Sequence, residues 1–266
     1  GYHDMLMVMQ TITLCDDITV TLTPGRASRA ESNLRFVPCD ERNLAVRAAN
    51  VFFAETGIGN MGAHIKMQKR IPVGAGMAGG SSDAAAVLRA LNKLCGAGLD
   101  RVRLEQLAAY IGSDVAFCVC GGTQLASGRG ELLSPLPSMP ECGVVVCKPD
   151  FSVSTPELFR RLDAVKLRCH PDTQGIIELL HEGDLPKIAR RMYNVFEDVP
   201  DRRHNEIAAI KSKMLDCGAL GAVMTGTGSA VFGLYDDEKA VERSVRALRR
   251  EWRCVTPAKI MPRIDV

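Results

Sequence analysis

The stretch that most constrains this chain is Ile71-Pro72-Val73-Gly74-Ala75-Gly76-Met77-Ala78-Gly79-Gly80-Ser81-Ser82, with four glycines among the seven residues Gly74 to Gly80. Before it, His64 to Gln68 alternates as a strand; after it, the alanine- and leucine-rich segment Asp83 to Leu94 predicts a helix. A strand, a glycine-rich turn and a helix thus follow one another directly. Glycines remove Cβ atoms from such a turn and leave consecutive backbone N–H groups free to point inward, towards an anion held at the positive end of the following helix dipole. Ser81 and Ser82 can cap that helix, donate hydroxyls to phosphate oxygens, or hold a bridging Mg²⁺. The plain structural alternative is a glycine-rich helix start with ordinary capping.

Two better-known phosphate loops fit poorly. Gly74-x-Gly76-x-x-Gly79 matches a dinucleotide fingerprint, but that motif needs a βαβ unit and an acidic residue about 20 positions further on. The position falls near Asp100, at the start of a predicted helix. A Walker loop needs a lysine after its last glycine, and Ser81 follows Gly80. What remains is a phosphate loop of another type.

The rest of the chain reads as two α+β domains, dividing after residue 145, and not as a doubly wound parallel sheet. Met5 to Leu14 and Ile18 to Leu22 read as a hairpin about Asp16-Asp17, and Glu41 to Glu55 as a helix ending at Gly57. Leu104 to Ile111 reads as a helix, Val115 to Cys120 and Thr123 to Ala126 as strands, and Pro135 to Pro140 as a connection. In the second half, strands are expected at Gly143 to Cys147, Ala219 to Met224, Ala230 to Tyr235 and Arg253 to Thr256. Helices are expected near Thr155 to Leu162, Gly175 to Leu180, Asn205 to Leu215 and Glu238 to Arg250.

Composition limits the partners. A net charge of +2 on 266 residues, without clustered Lys and Arg, argues against nucleic acid and for a small molecule. Aromatic residues are only 5% of the chain, so the core is expected to be aliphatic. The ten cysteines lie singly in apolar segments, which predicts reduced, buried thiols. Cys118 and Cys120 would share one face of a strand, with no second pair to complete a metal site. No apolar run approaches the ~20 residues that cross a bilayer. The expectation is a cytoplasmic protein with no membrane partner.

Pro72-Val-Gly-Ala-Gly-Met-Ala-Gly-Gly-Ser-Ser-Asp-Ala-Ala resembles the phosphate loop of the GHMP kinases, a family that includes galactokinase, homoserine kinase and mevalonate kinase. Met224-Thr-Gly-Thr-Gly-Ser-Ala-Val-Phe-Gly233 is similar to that family's third motif. Gly1-Tyr2-His3, Asp40-Glu-Arg-Asn-Leu44, the doubled Gly79-Gly80 and Gly112-Ser-Asp114-Val115 look most like the branch whose substrate carries a cytidine diphosphate group.

The resemblance implies a two-domain fold, with a nucleotide-binding α+β domain, a ferredoxin-like C-terminal domain and the site in the cleft between them. It implies ATP and Mg²⁺ as cofactors, and transfer of the γ-phosphate to the 2-hydroxyl of a cytidylylated methylerythritol in non-mevalonate isoprenoid synthesis. Other acceptors of the family, or a catalytically impaired nucleotide-binding module, are the alternatives; a dehydrogenase is a distant one.

Carried over residue by residue, the resemblance makes Asp114 the group that receives the hydroxyl proton. From the sequence alone, an aspartate capping a turn between a helix and an apolar strand is the favoured reading. Tyr2 and His3 match residues that in the family hold the cytosine, Tyr by stacking and His by hydrogen bonding; without that match they would read as an ordinary strand start. Asn43, Leu44 and Lys69 correspond to the adenine pocket, although Asn43 could simply sit in the first turn of its helix. Pro72, Gly74, Gly76, Met77, Ala78, Gly79, Gly80, Ser81 and Ser82 surround the phosphates. Thr155 matches a substrate-side threonine, or merely opens a helix before Pro156. Thr225, Gly226, Thr227 and Gly228, with Ser229, face the substrate, or form only a tight turn between strands. Asp83 puts a negative charge near the triphosphate, where it can favour the helix N-terminus or touch a metal indirectly. The family also has a catalytic lysine in a Lys-x-Asn strand upstream of Gly-Tyr-His; Gly1 opens this sequence, so a longer protein is expected. Lys66 and Lys69, on the strand leading into the loop, do not replace that lysine.

Overall fold

The structure, a computed structural model, describes residues 3–167, 169–199 and 201–264. Its first part runs β1 (Met5–Gln10), β2 (Asp17–Pro24), β3 (Arg29–Ser32), α1 (Leu44–Thr56), β4 (Met61–Gln68), α2 (Gly79–Cys95), α3 (Arg101–Ile111), α4 (Ser113–Cys120), β5 (Thr123–Gly128) and β6 (Leu132–Pro135). One sheet has the order β2-β4-β3, with β3 parallel to β4; a second has the order β1-β5-β6. Asn43 caps α1 with its side chain and Gly57 ends the helix in the left-handed region. Phe52, Ile65, Leu88, Leu91, Leu104 and Val119 belong to the core that joins the four helices to the β2-β4-β3 sheet.

The predicted hairpin does not form. β1 pairs antiparallel with β5, from Met5 opposite Gly128 to Gln10 opposite Thr123, while β2 pairs with β4. No tight two-residue turn joins β1 to β2. The linking residues are held elsewhere: Thr11 N–H donates to Gly122 O at 3.1 Å, Thr13 N–H to Lys259 O at 2.9 Å, and the Asp16 carboxylate binds the segment 69–71.

Val115 to Cys120 is helical, not a strand. It is buried on nearly every side, so no alternation of apolar and polar residues distinguishes the two states. Cys118 and Cys120, two residues apart on a helix, do not share a face. Sequence reasoning also starts α2 four residues late. Gly79 to Ser82 form its first turn and not the loop before it.

The second part runs β7 (Gly143–Lys148), α5 (Thr155–Leu162), α6 (Thr173–Glu182), α7 (Leu185–Arg191), a 3₁₀ turn (Val195–Asp198), α8 (His204–Asp216), β8 (Gly221–Met224), β9 (Val231–Tyr235), α9 (Glu238–Leu248) and β10 (Cys254–Lys259). All pairings in the sheet β10-β7-β9-β8 are antiparallel. With α8 between β7 and β8 and α9 between β9 and β10, this is the expected ferredoxin-like arrangement. α7 and the 3₁₀ turn carried no sequence signal strong enough to predict them. A division after residue 145 would cut through β7, a central strand of this sheet.

The apolar side chains of Met214, Leu248, Val145 and Val231 pack α8 and α9 against the sheet. The other face covers Ala75 of the glycine-rich loop along with Leu185 and Ala189 of α7. One cluster thus joins the glycine-rich loop of the first half to the sheet of the second.

Candidate active site

β4 delivers the chain to the glycine-rich segment and α2 carries it away. Gly74 and Gly76 turn with φ of +64° and +71°, and Ala78, the residue before α2, is also left-handed at +52°. No side chain caps α2. The serines therefore do not perform the capping role open to them in the sequence. The N–H of Ser82 makes the first bond of the helix, to Ala78 O at 2.8 Å. The N–H groups of Gly79, Gly80 and Ser81 consequently have no carbonyl of their own helix to bond, and they lie at its positive end.

The second glycine-rich turn, Thr225 to Ser229, meets this loop. Thr225 Oγ1 donates to Gly76 O at 3.0 Å, and Ala230 N–H donates to Ala75 O at 3.1 Å. The approach needs glycine at 76, since a Cβ there would lie 2.8 Å from Gly228 N and closer still to Thr225 O. The turn also reaches α5, where Thr155 Oγ1 is 2.9 Å from Thr227 Oγ1. Ser229 Oγ, buried, donates to Phe151 O at 2.6 Å. The turn is thus a junction of the two halves of the chain.

A brace behind this turn escaped sequence reasoning. Asn194 donates to Met224 O and to Gly226 O, both at 2.7 Å, and accepts from Phe196 N–H at 3.0 Å. Glu197 Oε1 accepts from Met224 N–H at 2.7 Å, while Lys211 pairs with its other oxygen. Asn-Val-Phe-Glu has no periodicity to mark it, and only its distance from the turn in space, not in sequence, reveals the contact.

Asp114 lies in the first turn of α4, between two helices rather than between a helix and a strand. Its carboxylate has no hydrogen-bond partner among the described residues, so it is not a turn cap. Burial raises its pKa above the ordinary carboxylate value. The Cys118 thiol, one turn along α4, is pushed up to about 12 by burial, with Asp114 adding to the effect.

The residues expected beside adenine have partners within the chain. Asn43 Oδ1 accepts from Ala45 N–H at 2.9 Å and its amide donates to Pro38 O at 2.7 Å. Leu44 opens α1 and approaches Gly80, where a Cβ would lie 3.7 Å from Leu44 Cδ1. The Lys69 ammonium is turned away into an ion-pair cluster with Asp16 and Asp83. The backbone of Lys69 is paired with Asn33, whose Oδ1 accepts its N–H at 2.8 Å and whose amide donates to its carbonyl at 3.2 Å. Asp83, which the sequence left between a helix-end and a metal role, is a member of that cluster. Lys66 is exposed on β4.

His3 stacks on Phe159 with ring centroids 4.7 Å apart, and its Nε2 is 2.6 Å from Asp163 Oδ1. Phe159 in turn meets Phe196 edge-on at 5.0 Å. Tyr2, expected beside His3, lies outside the described residues.

The family model for the GHMP kinases N terminal domain matches residues 43–122, and that for GHMP kinases C terminal matches residues 176–254. A 4-diphosphocytidyl-2-C-methyl-D-erythritol kinase of Geobacillus thermodenitrificans is 46% identical over 250 residues, covering 94% of this chain and 86% of that enzyme. The kinase of the same name from Bacillus subtilis is 45% identical over 251 residues, with the same coverage of both chains. Among solved structures, a 4-(cytidine 5'-diphospho)-2C-methyl-D-erythritol kinase superposes with a TM-score of 0.79 at 32% identity, covering 98% of this chain and 91% of its own. The mevalonate kinase of L. major shares the fold, with a TM-score of 0.78 at 17% identity, covering 98% of this chain and 92% of its own. Two interlocked glycine-rich turns on this architecture, in a chain so close in sequence to these enzymes, place it in the GHMP kinase family, among the 4-diphosphocytidyl-2-C-methyl-D-erythritol kinases.

Proposed function

We propose that this chain transfers the γ-phosphoryl group of ATP to the 2-hydroxyl of 4-diphosphocytidyl-2-C-methyl-D-erythritol, a step of non-mevalonate isoprenoid synthesis. The observation that carries this reading is the contact of the two glycine-rich turns, Thr225 Oγ1 on Gly76 O and Ala230 N–H on Ala75 O, in a chain 46% identical to a kinase named for that substrate.

Phosphoryl transfer asks the protein chiefly to position two substrates and to neutralise charge. In this reading the N–H groups of Gly79, Gly80 and Ser81 receive the phosphates, and Pro72, Gly74, Gly76, Met77, Ala78 and Ser82 shape the loop around them. Thr155 and the turn Thr225, Gly226, Thr227 and Gly228 face the acceptor. As the acceptor oxygen bonds to the γ-phosphorus, the bond from that phosphorus to the β–γ bridging oxygen breaks. ADP departs with the electron pair, and the hydroxyl proton passes to the Asp114 carboxylate. A pKa raised by burial makes that carboxylate a better proton acceptor than an exposed one. Tyr2 and His3 hold the cytosine. Asn43, Leu44 and the backbone of Lys69 border the adenine.

Mg²⁺, when bound with ATP, neutralises the triphosphate. No cluster of three or more His, Cys, Asp or Glu side chains that could hold a metal ion occurs among the described residues. In this reading the ion would be held chiefly by phosphate oxygens and water, with one or two protein oxygens beside them. No helix among the described residues is long and apolar enough to cross a membrane, and the ten cysteines are unpaired. Both observations support a cytoplasmic setting.

Steady-state turnover of the full-length protein with Mg-ATP, offered the cytidylylated substrate, homoserine and mevalonate in turn, tests the reading. Turnover with the cytidylylated substrate is expected. Phosphorylation of homoserine or mevalonate but not of that substrate would refute it. Replacing Tyr2 with Ala should weaken the cytidine-bearing substrate while leaving ATP binding near normal.

A further inference from the structure

Beneath the phosphate loop lies a buried cluster of three charges that the transfer reaction does not use. The side chains of Lys69, Asp16 and Asp83 are only 4%, 1% and 4% exposed. Lys69 Nζ donates to Asp16 Oδ2, to Asp83 Oδ2 at 2.5 Å, and to the carbonyl of Gly79 at 3.4 Å. Asp16 Oδ1 accepts the N–H groups of Arg70 and, at 2.8 Å, of Ile71. One ammonium and its carboxylates therefore hold the chain on both sides of the loop, at 69–71 where it begins and at 79 and 83 where α2 takes over. Ile71 and Gly79 are in close contact directly above, where a Cβ on Gly79 would lie 2.9 Å from Ile71 Cγ2 and 3.6 Å from Lys69 Nζ. Asp83 Oδ1 is buried without a partner.

Such a cluster is a poor way to gain stability. Desolvating three charges costs several kcal/mol per ion before pairing returns part of it, and apolar residues of like volume often serve as well or better. What the ion pairs add over apolar packing is direction: they fix the path of 69–71 relative to the first turn of α2. That path sets where the N–H groups of Gly79, Gly80 and Ser81 point.

We propose that Asp16, Lys69 and Asp83 form a clasp that holds the phosphate loop in its nucleotide-receiving shape, as positioning residues for ATP that do not contact it. The proposal rests on the phosphate-loop reading given above. It assigns Asp83 and the side chain of Lys69 to the underside of the loop, away from adenine and metal.

The test separates positioning from stability. The double variant Lys69→Met, Asp83→Leu, made in an Asp16→Asn background whose amide oxygen can still accept from Arg70 and Ile71, removes all three charges and keeps the volume filled, so it is expected to fold with a Tm at or above that of the parent. Its Kd for a non-hydrolysable ATP analogue, measured by titration calorimetry on the full-length protein, is expected to rise about tenfold or more, with KM for the cytidylylated acceptor changed by less than about twofold. Asp83→Asn, whose amide oxygen still accepts from Lys69, is expected to keep that Kd within about threefold of the parent. A double variant that binds the analogue as tightly as the parent would overturn the clasp. So would an equal loss at the acceptor, or a loss in Asp83→Asn as large as in the double variant, which would mean that the Asp83 charge acts on the nucleotide itself. If the parent protein did not bind the analogue at all, the phosphate-loop reading would fall first, and the clasp with it.

Discussion

Replacing Gly76 with alanine tests the junction of the two glycine-rich turns directly. At φ +71° an alanine costs about 1–2 kcal/mol relative to an unstrained backbone. Its Cβ would lie 2.8 Å from Gly228 N and 3.1 Å from Gly228 O, and closer still to Thr225 O. All three are backbone atoms of a turn anchored by Asn194, so neither loop yields by a side-chain rotation. Separating them stretches the Thr225 Oγ1 to Gly76 O and Ala230 N–H to Ala75 O hydrogen bonds, each contributing about 1 kcal/mol. The sum is about 3–4 kcal/mol, and if catalysis requires the junction intact, kcat/KM falls about 10²- to 10³-fold. Gly74→Ala is the control. Its φ of +64° imposes the same backbone strain, but its Cβ would meet the rotatable Ser152 Oγ at 3.0 Å, so only about 1–2 kcal/mol is at stake. Steady-state kinetics and thermal unfolding of both variants decide the matter. If Gly76→Ala matched Gly74→Ala in both measurements, the junction would have no part in function.

Asp114→Asn should lower turnover about 10²- to 10⁴-fold with little change in either KM. Because burial raises the Asp114 pKa, ionising it in the fold is unfavourable, and the Asn variant should be the more stable protein in urea, by a margin that grows as pH rises from the ordinary carboxylate pKa through the raised one and stays constant above it. Unchanged turnover would remove Asp114 from the reaction. Asn194→Ala leaves the carbonyls of Met224 and Gly226 and the N–H of Phe196 without their partner; a stability loss of about 1–3 kcal/mol with a larger drop in kcat/KM than in Tm-matched surface variants is expected.

Asp83 supplies a pH test. Burial first, with Asp16 adding and Lys69 opposing, raises its pKa from 3.8 to about 7; the Cys118 thiol also lies within its field. Between those values the folded protein keeps a proton that the unfolded chain has released, so stability declines as pH rises through that window. Asp16 is subject to the same burial, but the bonds from Lys69, Arg70 and Ile71 prevail and lower its pKa, so its effect of opposite sign falls below that window. Unfolding by urea should therefore show the parent losing on the order of 2 kcal/mol relative to Asp83→Asn between pH 5 and 8. A difference that stays constant with pH would contradict this assignment.

The glycine-rich turn was legible because its signal is local: glycine density between a strand pattern and a helix pattern states a turn wherever the rest of the chain goes. The same holds for Gly57 ending α1 and for the alternation of strands and helices that became the β10-β7-β9-β8 sheet. Where burial is complete the local signal disappears. Val115 to Cys120 carries no alternation, and it became a helix because α4 packs among other helices rather than in a sheet. β1 could not reveal its partner either, because β5 begins more than a hundred residues later and only the packed sheet selects it. The functional chemistry divides along the same line. The sequence, read with its resemblance to the GHMP kinases, singled out the glycine-rich loop proposed to receive phosphate and nominated Asp114 as the proposed proton acceptor. Tertiary structure decided that Gly76 meets Thr225, that Asn194 braces their junction, and that Lys69 turns inward to Asp16 and Asp83, since contacts between distant segments depend on packing and on the burial of charge, neither of which is written in any one stretch of the chain.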